Sequence, residues 1–119
     1  TPTYANSQQK REGVETGTIT LDPPVLTPDG DGQDDVLLIW YRFTEPGNVA
    51  QVRIYDLAGR LVRTIAANSL CGLNGYFRWD GLTEQARSVP AGPYVVCVQY
   101  YSKEGRFHTI KKPVAVGYR

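Results

Sequence analysis

Methionine is absent from these 119 residues, histidine occurs once and cysteine only twice. The lone imidazole, His108, leaves no Ser or Cys with both a His partner and an orienting acid, and no His/Cys cluster has zinc spacing. The Gly-rich stretches lack the Lys and the following helix that a phosphate loop needs. Catalysis is therefore not expected. Charge of one sign is also missing: 13 Lys and Arg stand against 12 Asp and Glu, a formal net charge of +1. That excludes the strongly basic face that captures nucleic acid. No apolar run approaches the ~18 residues of a membrane helix, so no membrane insertion is expected. No apolar stripe of helical period lasts beyond two turns, which argues against a helical domain. No signal peptide is visible, and Thr1 is not a natural start. The chain is read as a piece of a longer protein whose export signal lies upstream.

Aromatic and turn residues are plentiful instead. Eight Tyr, two Trp and three Phe favour strands, and twelve Gly and eight Pro cluster where turns should fall. Residues 1–15 are polar and nearly without aliphatic side chains, and are expected to be a flexible linker before a domain over 16–119. Thr18 to Leu21 opens the first strand, with Val25 and Leu26 as a short continuation. Val36 to Phe43 is nearly continuously apolar and is expected to be a central strand. Val49 to Tyr55 alternates cleanly. Asp56-Leu57-Ala58-Gly59 makes a hairpin into Arg60 to Ala66, because Gly tolerates the left-handed backbone such turns demand. Asn74-Gly75 is the strongest short hairpin signal and launches Tyr76 to Trp79. Pro90-Ala91-Gly92-Pro93 introduces Tyr94 to Tyr101, and Glu104-Gly105 turns the chain into Arg106 to Val116. Seven or eight mainly antiparallel strands at such spacing predict an all-β, Ig-like β-sandwich.

Asp29, Asp31, Asp34 and Asp35 crowd one loop, spaced by Gly30 and Gly32. Calcium takes several oxygen ligands on a flexible backbone, and this loop opens like an EF-hand. Gln33 stands at the third ligand position, however, and no Glu follows at the twelfth. The other reading is an Asx-type turn whose carboxylates cap backbone N–H groups. Both stay open, and no cofactor is otherwise required. Trp79-Asp80-Gly81 reads as a core tryptophan followed by a capped turn. Trp40 and Tyr41 are neighbours on one strand and must face opposite ways, so that one of them lies on the surface.

Four blocks carry a wider likeness: Thr27 to Asp35, Ile54 to Arg60, Trp79 to Gly81 and Val89 to Tyr94. In this order they resemble the Ig-like C-terminal domains of proteins exported by the type IX secretion system of Bacteroidetes. The related gliding-motility-associated C-terminal domains and FlgD-type Ig-like domains carry the same blocks. Over Gly47 to Gly81 the likeness is nearest to the C-terminal module of bacterial lamin-tail-domain proteins, and in all it covers roughly residues 20 to 116.

The resemblance implies a folded sorting signal. Such a domain engages the type IX translocon and its shuttle proteins after its cargo has reached the periplasm. In many members a sortase-like peptidase then removes the domain and attaches the cargo at the cell surface. The chain is thus expected to be exported, passing through the periplasm to the outer-membrane surface or beyond, and to be monomeric. Recognition is expected on the last hairpin, at Tyr100, Tyr101, Lys103, Lys111, Lys112, Pro113, Val114 and Val116. A final edge strand offers unpaired backbone groups for β-augmentation, which Pro113 would limit. Transit through an oxidising compartment leaves two readings for Cys71 and Cys97, a disulfide or two buried thiols, with Cys97 expected to point inward beside Val95. A structural Ig-like spacer or adhesion domain is the alternative function.

Overall fold

The computed structural model describes residues 17–28 and 35–118. These form eight strands: β1 (Gly17–Asp22), β2 (Val25–Leu26), β3 (Leu37–Phe43), β4 (Asn48–Asp56), β5 (Leu61–Cys71), β6 (Asn74–Trp79), β7 (Gly92–Tyr101) and β8 (Phe107–Val116). They build two sheets, β1-β3-β6 and β2-β8-β7-β4-β5, with every pairing antiparallel except β2 with β8. The expected all-β sandwich is the observed fold. No helix occurs among the described residues.

Strict alternation decides which side chains meet between the sheets. On β4, Ala50, Val52 and Ile54 are fully buried, and on β7 the inward set is Tyr94, Val96, Val98 and Tyr100. β3 supplies Leu37, Ile39 and Phe43 from the opposite sheet, where it is the central strand. Its apolar run is nonetheless one-sided, with Trp40 and Arg42 facing out.

Trp79 fills the sandwich, 1% exposed. Its Nε1–H donates to the Leu82 carbonyl at 3.0 Å, and its ring meets Tyr94 edge-on at 5.8 Å. The Tyr94 hydroxyl in turn donates to the Pro90 carbonyl at 2.6 Å. This is the tyrosine-corner device of Ig-like sandwiches, a strand-start Tyr tied to backbone a few residues upstream. Asp80 caps the following turn by accepting from the Leu82 N–H at 3.2 Å. At the β4–β5 hairpin, Gly59 has φ +82° and donates its N–H to the Asp56 carbonyl at 3.0 Å. The Asp56 carboxylate accepts from both the backbone N–H and the Nε of Arg60, which holds its pKa below the ordinary value.

Three sequence expectations change. Asn74-Gly75 is not a hairpin turn but the start of β6, because β5 and β6 belong to different sheets and Gly72-Leu73 makes the crossing. Glycine is required at 75 for another reason: a Cβ there would lie 2.5 Å from the Tyr41 hydroxyl. Val25 and Leu26 do not continue β1 but pass to the other sheet, alongside Ala115 and Val116. β5 runs on to Cys71, past Asn68 in the left-handed region at φ +55°.

Cys71 at the end of that extension and Cys97 on β7 are both free and buried. Cys71 is a core residue, whereas Cys97 shares the outer face of the five-stranded sheet with Val95, opposite Lys111. It points away from the core, contrary to expectation, and is shielded by its cross-strand neighbours. Cys71 pairs with Asn48 and Cys97 with Arg53, so five residues of β4 separate their rows. That is roughly 16 Å along the strand, far beyond the reach of a disulfide.

Trp79→Ala is expected to destabilise the domain by about 3–5 kcal/mol, and Tyr94→Phe by about 1 kcal/mol, both measured by urea unfolding. Native protein should have the same mass with and without reductant, and should release two thiols to a colorimetric reagent only on unfolding. Burial raises the pKa of Cys71, Tyr41 and Tyr94 above their ordinary values. The neutral forms therefore favour the folded state, a contribution complete below the unfolded pKa values and lost as pH rises past them. Stability should accordingly fall as pH climbs above about 9.

Candidate interaction surface

The last hairpin forms as expected, with β7 and β8 paired from Gly92–Val116 to Tyr101–Phe107. The Ser102 N–H donates to the Arg106 carbonyl at 3.0 Å and closes the turn. Its side chains, however, divide between three environments. Tyr100, Val114 and Val116 are core residues, 2–3% exposed, because they fall on the inward parity of their strands. Tyr100 lies between Phe43, at 4.7 Å, and His108, on which it stacks at 5.0 Å. No partner reaches these three without opening the domain.

Lys103, Lys111, Lys112 and Pro113 are exposed, and Tyr101 is half-buried. Lys103 does not project freely, since its stem lies against Gly47 in the β3–β4 turn. Lys112 faces the core side opposite Val96 but remains exposed, since β8 lies near the border of its sheet and a long stem can carry an ammonium out to water. The backbone edge of β8 is also shorter than expected. β2 covers its end, with the Ala115 N–H donating to Pro24 at 3.2 Å and the Gly117 N–H to Leu26 at 2.9 Å. The remaining stretch carries Lys111, Lys112 and Pro113, residues that discourage strand addition. The Tyr118 hydroxyl donates to the Val89 carbonyl, securing the segment after β8.

Asp29, Asp31 and Asp34 lie outside the described residues, and with them the calcium expectation. Asp35 is half-buried just before β3.

Register reveals an array that reading strand by strand missed. Across the outer face of the five-stranded sheet, Leu70, Val49, Tyr101 and Phe107 align in one row. Leu61, Tyr55, Val95 and Pro113 align in another. Between them runs a polar belt. There Gln51 donates to Asn68 Oδ1 at 3.3 Å, Arg53 donates to Gln99 Oε1 at 3.4 Å, and Lys111 sits opposite Cys97. Leu70 is 77% and Phe107 58% exposed, large values for apolar side chains in register. The signal in the sequence was the parity opposite to the core set on each strand, legible only once the pairing is known. Two apolar bands and a polar belt on an open sheet face can seat a protein partner.

Among solved structures the chain is similar to a part of dimeric latent PorU from Porphyromonas gingivalis, at 21% identity and a TM-score of 0.64 over 90% of this chain and 10% of that one. PorZ, an essential bacterial surface component of the type-IX secretion system of the same organism, aligns at 23% identity and 0.52 over 83% of this chain and 11% of that one. FlgD from P. aeruginosa aligns at 20% identity and 0.54 over 68% of this chain and 62% of that one. The chain thus spans about a tenth of the length of the two Porphyromonas proteins. At these identities the likeness is one of fold. No curated protein matches the sequence. The family model for the FlgD Ig-like domain matches residues 27–104, from the acidic loop through the whole of β7. By that match, which takes in well over half of its length, the chain belongs to the FlgD Ig-like domain family.

Proposed function

We propose that this domain is a non-catalytic sorting module, which carries an exported cargo to the type IX translocon and through the outer membrane. The observation that carries the reading is the alignment with PorU, where nine-tenths of this chain matches a tenth of a much larger protein. A module of this size that recurs within PorU and within PorZ, an essential surface component of the type-IX secretion system, suits a folded address label. PorZ, a surface component of that system, supports the same reading. Shuttle proteins and a sortase-like peptidase would be its further partners, and the cell surface its destination.

Recognition in this reading uses folded surface. Tyr101 and Phe107, paired across β7 and β8, are the aromatic anchors, and Lys111 adds a charge on the same face. Anchors of this kind concentrate binding energy in a few positions. The FlgD family match favours a second reading, a purely structural Ig-like spacer. Position and dependence separate the two, since only a sorting module relocates an unrelated protein.

The test fuses residues 1–119 behind a signal peptide and a fluorescent reporter in a Bacteroidetes host. Deleting residues 111–119 is a poor control, because it strips Val114 and Val116 from the core. Exposed substitutions are better: Phe107→Ser with Lys111→Glu should leave the domain folded. The expected result is reporter on the surface or in the medium, falling about tenfold or more with the double substitution. Reporter held in the periplasm by a folded domain would favour the spacer.

A further inference from the structure

The other open face of the molecule has a different chemistry. On the three-stranded sheet the outward residues of β1, β3 and β6 align in rows, and the middle row is Thr20, Trp40 and Tyr76. Trp40 is 41% and Tyr76 50% exposed, with ring centroids 5.0 Å apart. Two large aromatic side chains left open on adjacent strands of a sheet forfeit burial that a core position would give them. Rows on either side place an arginine beside the pair, Arg42 next to Thr18 and Arg78 next to Leu38.

Both arginines are exposed, and neither has an acidic partner among the described residues. The contrast within the chain is clear. Arg60 pairs with Asp56 at 3.0 Å, and Arg63 reaches Asp80 at 3.4 Å and Glu84 at 3.8 Å. The single acidic residue in register with the aromatic face is Asp22, at its corner, two strands away from Arg78.

We infer that this face binds a polysaccharide bearing carboxylate sugars. Exposed aromatic rings offer flat apolar platforms for the C–H face of a sugar ring, while Thr18 and Thr20 supply hydroxyls that donate and accept. A guanidinium matches a carboxylate with two parallel hydrogen bonds, a geometry that lysine cannot reproduce. Arg42 and Arg78 lie two residues to either side of the aromatic row, so their Cα positions stand roughly 14 Å apart. That span calls for an extended chain with repeated acidic groups. A neutral glycan leaves the arginines unanswered. A peptide of Asp and Glu alone answers the arginines but has no ring to lay on Trp40 and Tyr76. The inference does not depend on the sorting role, and its test uses the purified chain.

Trp40 is itself the reporter, because Trp79 is sealed in the core. Intrinsic fluorescence of the full chain is titrated with polygalacturonate, with dextran as the neutral glycan and poly-L-glutamate as the acidic peptide. Polygalacturonate should change the emission and bind at least about tenfold more tightly than either control, by one charge-assisted fork or one stacking contact. Raised salt should weaken it. Arg42→Gln with Arg78→Gln retains both rings and should reduce polygalacturonate to the dextran level. Trp40→Ala with Tyr76→Ala, followed by affinity electrophoresis and checked for folding by near-ultraviolet circular dichroism, should abolish retardation. Poly-L-glutamate binding as tightly as polygalacturonate would overturn the assignment in favour of an acidic peptide. Absence of any titration, or full binding by the doubly glutamine-substituted chain, would overturn it outright.

Discussion

One end of this sandwich hangs from Trp79. Its indole is sealed between the sheets, its N–H is tied to the turn that leaves β6, and its ring meets Tyr94 at the entrance to β7. Tyr94 then fastens the Pro90 carbonyl, and Tyr118 fastens Val89 from beyond β8. A long loop that crosses from the smaller sheet to the larger is thus held by three side-chain bonds to backbone. Each satisfies a polar group that burial would otherwise leave costly. The strands on both sides of that loop owe their relative placement to it.

With the core so fixed, the two outer faces are free to differ. Alternation assigns every second residue outward, whatever its chemistry, and the same rule that fills the core writes both surfaces. The five-stranded sheet shows apolar rows around a polar belt, suited to a protein. The three-stranded sheet shows an aromatic pair between arginines that have no acidic partner among the described residues, suited to an acidic ligand with rings. The rims are quieter: β8 is covered in part by β2 and armed with lysines and a proline along the rest.

Much of this was legible in the sequence, for physical reasons that can be named. The β4 alternation, the Gly59 hairpin and the buried Trp79 follow from local period and turn chemistry, and each stands as read. What local sequence does not carry is which sheet a strand joins and which of its faces turns inward. Asn74-Gly75 carries the local signature of a tight turn, yet two strands of different sheets meet there and Tyr41 crowds the glycine. Cys97 and Val95 share a parity, as expected, but which parity faces the core is set by β4 and β7 together. Val114 and Val116 read as open positions on a last strand, and only the sheet packed over them makes them interior. Tyr76 alone carries no local signal; paired with Trp40 across the ladder it defines a surface.

β2 and β8 come from opposite ends of the described chain, and they pair side by side. Contacts so distant in sequence form late, after the loop between them has been closed. The sandwich therefore cannot close until β8 is in place. Before then β7 lacks a neighbour, the core lacks two valines, and β2 has nothing to lie against. Closure is thereby shared between the two ends of the domain: losing β8 removes the seat of β2 as well as a neighbour of β7.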